Sequence, residues 1–347
     1  MSDIAIRKTG RTGRITLNRP KALNALTLDM VRKIVGILPI WAQDDDIDML
    51  VFDAEGDKSF CAGGDIADIY QALVDGDYDT VRNFWREEYP LNAALFHFPK
   101  PIASFLQGFT MGGGVGIGCH ASHRVVCENS EIAMPECTIG LVPDVGGSLL
   151  LSRGPGRTGE YLGTTGKRMS AGDAIFVGFA DYYIPRSDWP ALIGRLERSG
   201  DWTEIDSASR PAPKSPVASN THEINAHFAG ETLRDILISL DGSKSDWVLE
   251  TLNILDRNAP LSMACAIEMI HRARAHDTID EALKTEYRFA HRIAAQGDFQ
   301  EGIRAAIIDK DRSPHWQHSG PSDPTLPEVA RMLQPLGADD LRLEVKT

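Results

Sequence analysis

Cysteine is scarce in this 347-residue chain: Cys61, Cys119, Cys127, Cys137 and Cys265 are five, an odd number with no C-x-x-C pair. That spacing fits neither a disulfide framework nor a zinc cluster, and a reducing compartment is the simpler expectation. Basic residues are also in deficit, 36 Lys and Arg against 49 Asp and Glu, for a formal charge of −13. Sequence-independent nucleic-acid binding needs the opposite balance, so no nucleic-acid partner is expected, although a local patch can still hold an anionic small ligand. No apolar run approaches the roughly 20 residues of a membrane span, and residues 1–7 lack the basic-then-apolar order of a secretory signal. The expectation is a cytoplasmic protein with no membrane partner.

What is present is ordinary globular composition, 42% hydrophobic and 24% charged, which argues against a disordered, collagen-like or coiled-coil chain. At about 150 residues per domain the length corresponds to roughly two domains. Residues 1–205 alternate short apolar runs with helical patterns, the mark of an α/β or α+β unit built on sheets. Strand candidates are 14–18, 48–53, 102–106 and 123–127. Between the first two, Leu28, Val31, Val35 and Leu38 recur at helical spacing after the N-cap candidate Thr27, and Pro39 marks the expected end. The run DSASRPAPKSPVASN (206–220) reads as an exposed linker. Residues 221–320 read as a helical region: Leu233, Ile236, Leu237 and Leu240 fit one face, and Trp247, Leu249, Leu252 and Leu255 a second. Pro260 opens a third helix, and Thr278 with Glu281 in capping-box spacing a fourth. Residues 321–347 read as a polar tail. There is no internal repeat.

Three constellations could carry chemistry. In residues 108–118 three successive glycines, Gly112, Gly113 and Gly114, follow a strand candidate and leave peptide N–H groups uncovered, so they can meet developing negative charge. The structural alternative is a tight turn or close helix packing. Two look-alikes in this loop fail. Gly116-x-Gly118-x-x-Ala121 is not the short turn of a dinucleotide site, and Gly108-x-Thr110-x-Gly112 lacks the His and acid of a hydrolase triad. A second small-residue turn, Phe60 to Asp65, also follows a strand candidate, and the two turns can each donate one N–H to the same oxygen. Cys61 has no basic neighbour to activate it and is expected to be a buried small residue. The third constellation is residues 134–147, where two prolines and three glycines fix Glu136 and Asp144 on a loop in apolar surroundings. Such surroundings raise a carboxyl pKa toward the range useful for acid, base or nucleophilic work, capping and ion pairing being the alternative. His120 and His123 lack a third ligand, so no metal is expected.

Together these features resemble the crotonase, or enoyl-CoA hydratase/isomerase, superfamily. The likeness runs through ITLNRPKALNAL (15–26), FCAGGD (60–65), GFTMGGGVG (108–116) and MPE…GLVPDVGG (134–147). Within the superfamily it is closer to the 3-hydroxyisobutyryl-CoA hydrolases, on REEY (86–89), the PDVGG turn, DFQEGIRA (298–305) and IDKDRSP (308–314), over roughly residues 12 to 316. The resemblance implies a ββα spiral core with a helical C-terminal region. It also implies a thioester carbonyl held between the N–H groups of Gly64 and Gly113, a pair whose single-donor loss costs on the order of 10²–10³ in rate. Glu136 would attack the acyl carbon or activate water, Asp144 would handle protons, and Glu88 would contact the substrate's polar end. Ala62 and Leu23 would complete the substrate-binding set. No cofactor is implied beyond coenzyme A as part of the substrate. Relatives are commonly trimers or hexamers, so a homo-oligomer is one expectation, which the extended C-terminal helices could counter by covering the contact surface.

One departure separates two activities. Hydratases of the superfamily carry a second catalytic glutamate just after the three glycines, where this chain has Gly116. Two carboxylates are needed to hold and split water across a double bond, so the expectation is hydrolysis of a short-chain β-hydroxyacyl-CoA, with 3-hydroxyisobutyryl-CoA of valine breakdown leading. An enoyl-CoA hydratase or isomerase is the alternative, and a non-catalytic acyl-CoA-binding protein the alternative of a different class. Arg19, Lys21 and Lys58 lie near the loops expected to meet the CoA phosphates, with a surface role the plainer reading for each.

Overall fold

The structure, a computed structural model, describes residues 2–343. In chain order the strands are β1 (Ile4–Thr9), β2 (Thr12–Leu17), β3 (Met49–Ala54), β4 (Ser59–Cys61), β5 (Ile102–Phe105), β6 (Phe109–Met111), β7 (His123–Val126), β8 (Glu131–Ala133) and β9 (Tyr182–Tyr183). One sheet has the order β1-β2-β3-β5-β7-β9, antiparallel only at its β1–β2 hairpin, and the other is the parallel β4-β6-β8. The chain thus alternates between two sheets with helices between successive turns. This is the mixed α/β spiral of the crotonase-like core. Among the described residues no helix is long and apolar enough to cross a membrane.

The four strands read from sequence are β2, β3, β5 and β7. All of β3 and β5 is buried, which is why each is mostly apolar, with Asp53 and Ser104 as the buried polar exceptions. The strands of the small sheet have only three residues each and merge with the glycine turns, so periodicity does not reveal them.

Helix α1 (Leu28–Ala42) starts at Thr27, whose hydroxyl accepts from Met30 N–H, but it does not end at Pro39. Proline at 39 removes one N–H. The carbonyl this frees belongs to Val35, which is 40% exposed, so water can satisfy it. The last turn is anchored by buried Trp41, whose carbonyl accepts from Lys100 Nζ. The buried face is accordingly Met30, Val31, Ile34, Leu38 and Trp41, without Val35. Helices α2 (Ile66–Val74), α3 (Tyr78–Phe96), α4 (Gly113–Gly118) and α5 (Gly147–Ser152) follow and surround the site.

The C-terminal helices Leu233–Asp241, Asp246–Leu255, Pro260–His276 and Ile279–Ile293 begin where the sequence places them, and Thr278 caps the last by accepting from Glu281 N–H. In the second of these the inward residues are Val248, Thr251 and Leu255, and Leu249 faces solvent. Segment 206–220 is mostly exposed but pinned. Asp173 accepts from the Ser215 hydroxyl at 2.6 Å and from the Val217 N–H at 2.8 Å, and Val217 is buried. The stretch expected as a polar tail instead carries the helix Leu326–Met332, and Val329, Met332, Leu333 and Leu341 are buried. Its polar composition misleads because three apolar side chains at helical spacing, Val329, Met332 and Leu333, with Leu341 beyond them, are enough to dock it, with Arg288 paired to Asp340. Positions 344–347 lie outside the described residues.

One hydrophobic cluster joins Ile4 and Ile15 of the sheet to Tyr287, Phe299 and Met332, so the C-terminal helices share the core of the first half. One close approach is at the site. A Cβ on Gly302 of the helix Asp298–Ile303 would sit 2.2 Å from the Ile139 carbonyl oxygen. Gly302→Ala is therefore expected to shift the urea midpoint down by the equivalent of about 1–3 kcal/mol. An unchanged midpoint would mean that this contact yields freely.

Candidate active site

The geometry is set by two glycine corners. The first, at the end of β4, is pinned through Asn24, whose side-chain amide donates to the Glu55 and Ser59 carbonyls. The second joins β6 to α4. Parallel pairing of β4 with β6 brings the corners together. A Cβ on Gly114 would lie 2.1 Å from the Cys61 carbonyl oxygen, and one on Gly113 would lie 3.3 Å from the Gly64 nitrogen. Only residues without side chains permit this approach. Among the described residues neither the Gly64 nor the Gly113 N–H donates to a backbone or side-chain acceptor, Gly113 being in the first turn of α4, where N–H groups have no intrahelical partner.

Both corners open on a cavity of about 110 Å³ lined by Ala62, Gly64, Gly113, Glu88, Glu136 and Asp144, with Phe84, Trp85 and Phe299 among its apolar walls. Phe299 comes from the C-terminal helix that packs on the Glu136 turn, so distant chain closes the site. Leu23 does not line the cavity; its carbonyl accepts from Ala62 N–H at 3.1 Å. Arg19 is held by Asp65 and by the Ala25 carbonyl, while Lys21 and Lys58 are exposed.

Glu136 opens the short helical turn Glu136–Ile139, which ends at Gly140 in the left-handed conformation. Its Oε2 has no hydrogen-bond partner, and its Oε1 would lie 2.9 Å from a Cβ on Gly112. Glu88, on the inner face of α3, has an unpartnered Oε1 that would lie 2.7 Å from a Cβ on Gly113. Asp144 accepts from the Tyr89 hydroxyl at 2.7 Å. Burial pushes the Glu88 and Glu136 carboxyls well above their ordinary range, and the nearby Asp144 charge adds to both shifts. Burial also lifts Asp144 to about 7, against the opposing effect of the Tyr89 hydroxyl. Two buried carboxyls with unpaired oxygens beside two free amides can receive a carbonyl, attack it and move protons.

Position 116 has no room for a side chain, since a Cβ there would lie 2.6 Å from Asn92 Nδ2 and 2.8 Å from Val145 Cβ. A carboxylate in that place would require both neighbours to move. Cys61 is buried and its thiol is pushed up to about 12 by burial, which keeps it unreactive. His120 is lowered to about 4 by burial and hydrogen-bonds the Val145 carbonyl through Nε2; it is a neutral structural group. His123 stacks on Tyr182, away from the cavity.

Sequence reasoning missed Glu286. It lies in the Ile279–Ile293 helix and is fully buried, with Asp144 near enough to raise its pKa. The available signal was a charged residue in the apolar stripe Ile279, Ala282, Leu283, Tyr287, Ala290, Ile293. Burial lifts its pKa to about 8, against donation from Ser148 and Gly146.

Residues 12–333 match the family model described as enoyl-CoA hydratase/isomerase. A Homo sapiens protein named 3-hydroxyisobutyryl-CoA hydrolase, mitochondrial, is 35% identical over 98% of this chain and 90% of its own length. A crystal structure of an enoyl-CoA hydratase from Rhodobacter sphaeroides 2.4.1 superposes with TM-score 0.94 at 51% identity, covering 98% of this chain and 100% of that one. A carnitinyl-CoA dehydratase from Mycobacterium thermoresistibile also superposes with TM-score 0.94, at 33% identity and 99% of each chain.

The folded-state pKa values of Asp144 and Glu286, about 7 and about 8, lie above the ordinary 3.8 and 4.5. The folded state therefore binds more protons than the unfolded one. Their contribution to stability is full below about pH 4 and is lost as pH rises through 7 to 8. Asp144→Asn should flatten this dependence, gaining roughly 3 kcal/mol relative to wild type between pH 5 and 8 in urea unfolding. Identical slopes for the two proteins would sink the assignment.

Proposed function

Because this chain belongs to the enoyl-CoA hydratase/isomerase family, we propose that it hydrolyses the thioester of a short-chain β-hydroxyacyl-CoA, with 3-hydroxyisobutyryl-CoA as substrate and valine catabolism as its setting. The observation that carries this reading is the cavity itself: two unengaged amides and the unpartnered carboxyl of Glu136 converge there, while position 116 is closed by Asn92 and Val145. The thioester oxygen lies between the Gly64 and Gly113 N–H groups, which stabilise the negative charge it gains as the carbonyl is attacked. Glu136 adds to the acyl carbon through its carboxylate as its own proton passes to Asp144. The carbon–sulfur bond breaks, and Asp144 gives its proton to the departing thiolate, leaving a mixed anhydride and free CoA thiol. Water then opens the anhydride, its proton passes to Asp144, and the acid product is released as Glu136 is restored. No metal or redox cofactor enters these steps.

Glu88 serves the β-hydroxyl. Its Oε1 is buried, unpartnered and next to the Gly113 corner, so a hydroxylated acyl chain satisfies it and an unsubstituted chain leaves it unpaired. Ala62 and Leu23 are assigned to the CoA side, linked by their own hydrogen bond. A cytoplasmic location fits five free cysteines, all buried, although the relatives' printed names carry the word mitochondrial. Hydration of an enoyl-CoA is the second reading, favoured by the 51% identity to the structure described as an enoyl-CoA hydratase.

A thiol-release assay on 3-hydroxyisobutyryl-CoA beside a hydration assay on crotonyl-CoA separates the two. Release without hydration is expected, and Glu136→Gln should lower release by at least about 10³. Hydration without release would replace this reading with the hydratase. Isobutyryl-CoA, lacking the hydroxyl, should show kcat/KM lower by on the order of 10² or more. Equal values for the two acyl chains would remove Glu88 from its role.

A further inference from the structure

The turn that carries Asp144 is strained and tightly held. Val145, a buried β-branched residue, sits at φ +53°, and Gly146 follows at φ +80°. A β-branched side chain is a genuine outlier in that region, and such conformations persist only where the surroundings enforce them. Three groups do so. Gly147 N–H closes the turn onto the Asp144 carbonyl at 2.7 Å, and His120 Nε2 meets the Val145 carbonyl at 2.7 Å. The third is Glu286, whose Oε2 accepts from Gly146 N–H at 2.7 Å and whose Oε1 accepts from Ser148 N–H at 3.0 Å and from the Ser148 hydroxyl. Both of its oxygens are thus occupied, by the Gly146 N-cap of α5 and by Ser148 in its first turn, from a helix about 140 positions away in the chain. The glycine cannot move aside either, because a Cβ at 146 would already lie 2.4 Å from Ile279 Cδ1 and 2.6 Å from His120 Nε2.

We infer that Glu286 is a positioning residue for the reaction: from the C-terminal helix it clamps the strained Val145–Gly146 turn and thereby aims the Asp144 carboxyl at the cavity. This rests on Asp144 being the proton carrier of the proposed hydrolysis. A carboxylate that only capped α5 would influence folding and leave turnover per folded molecule unchanged. A clamp on Asp144 instead acts on kcat, because a misplaced proton donor still permits substrate to bind.

The test is a double-mutant cycle with Glu286→Gln, Asp144→Asn and the pair, measured as CoA release from 3-hydroxyisobutyryl-CoA and normalised to the folded fraction from circular dichroism. Ser148→Ala, which removes one donor and keeps the carboxylate, serves as the milder probe should Glu286→Gln fold poorly. Glu286→Gln should lower kcat by about 10- to 100-fold with KM within about threefold of wild type, and Ser148→Ala by less than about tenfold. Neither should reduce the residual rate once Asp144→Asn is present. The inference is overturned if Glu286→Gln keeps kcat within twofold, if the loss disappears on normalisation, or if the losses multiply undiminished in the Asp144→Asn background. An Asp144→Asn protein with wild-type turnover would instead remove the hydrolysis scheme, and the clamp would fall with it. A dead Asp144→Asn beside a fully active Glu286→Gln removes the clamp alone.

Discussion

The approach of two backbone segments, with no side chain between them, is the constraint on which the site depends. The corner after β4 and the corner before α4 come so close that a methyl group on Gly114 would occupy the Cys61 carbonyl. Parallel pairing of two three-residue strands sets this distance, and the β4-β6-β8 sheet is held in turn by the larger sheet and the helices around it. Two amides left without acceptors follow directly, since a backbone bent this sharply has no neighbour to receive them. An arrangement of fixed dipoles facing a small cavity is costly to fold and useful for stabilising charge that appears only during reaction.

The same economy governs the carboxyls. Glu88, Glu136, Asp144 and Glu286 are buried close to one another; burial disfavours each ionised form, and the Asp144 charge adds to this for the other three. Asp144, lifted to about 7, is consequently divided between its two protonation states near neutral pH, the range in which a carboxyl can both give and take a proton. Glu160 is the contrast: also buried, it is surrounded by Arg157, His271 and Arg274 and is lowered to about 2. A buried carboxyl held by two arginines and a histidine is structural, whereas one with an unpartnered oxygen beside a cavity is available for chemistry.

The relatives divide between names that end in hydrolase and names that end in hydratase or dehydratase, although the fold is common to all. Fold membership therefore does not separate the activities, and the local fit of side chains must. At position 116 the packing of Asn92 and Val145 against a glycine leaves no room for a further carboxylate.

The order of the motifs along the chain already determined the α/β core, the two glycine turns and the candidate carboxylates Glu136 and Asp144, while Glu88 came only with the family resemblance. These features are local: a strand, a turn and a loop residue each leave a mark within a dozen positions. The sequence could not reveal that α1 passes through Pro39, that four apolar residues dock the final segment, or that Phe299 walls the cavity, because each depends on what packs from far along the chain. Glu286 is the clearest case. In the sequence it is one glutamate among the helical residues of the C-terminal region, and only tertiary contact across about 140 positions brings its carboxylate onto the turn beside Asp144. Hydrogen-bond partners at that separation are selected by packing of the whole core, which no local pattern encodes.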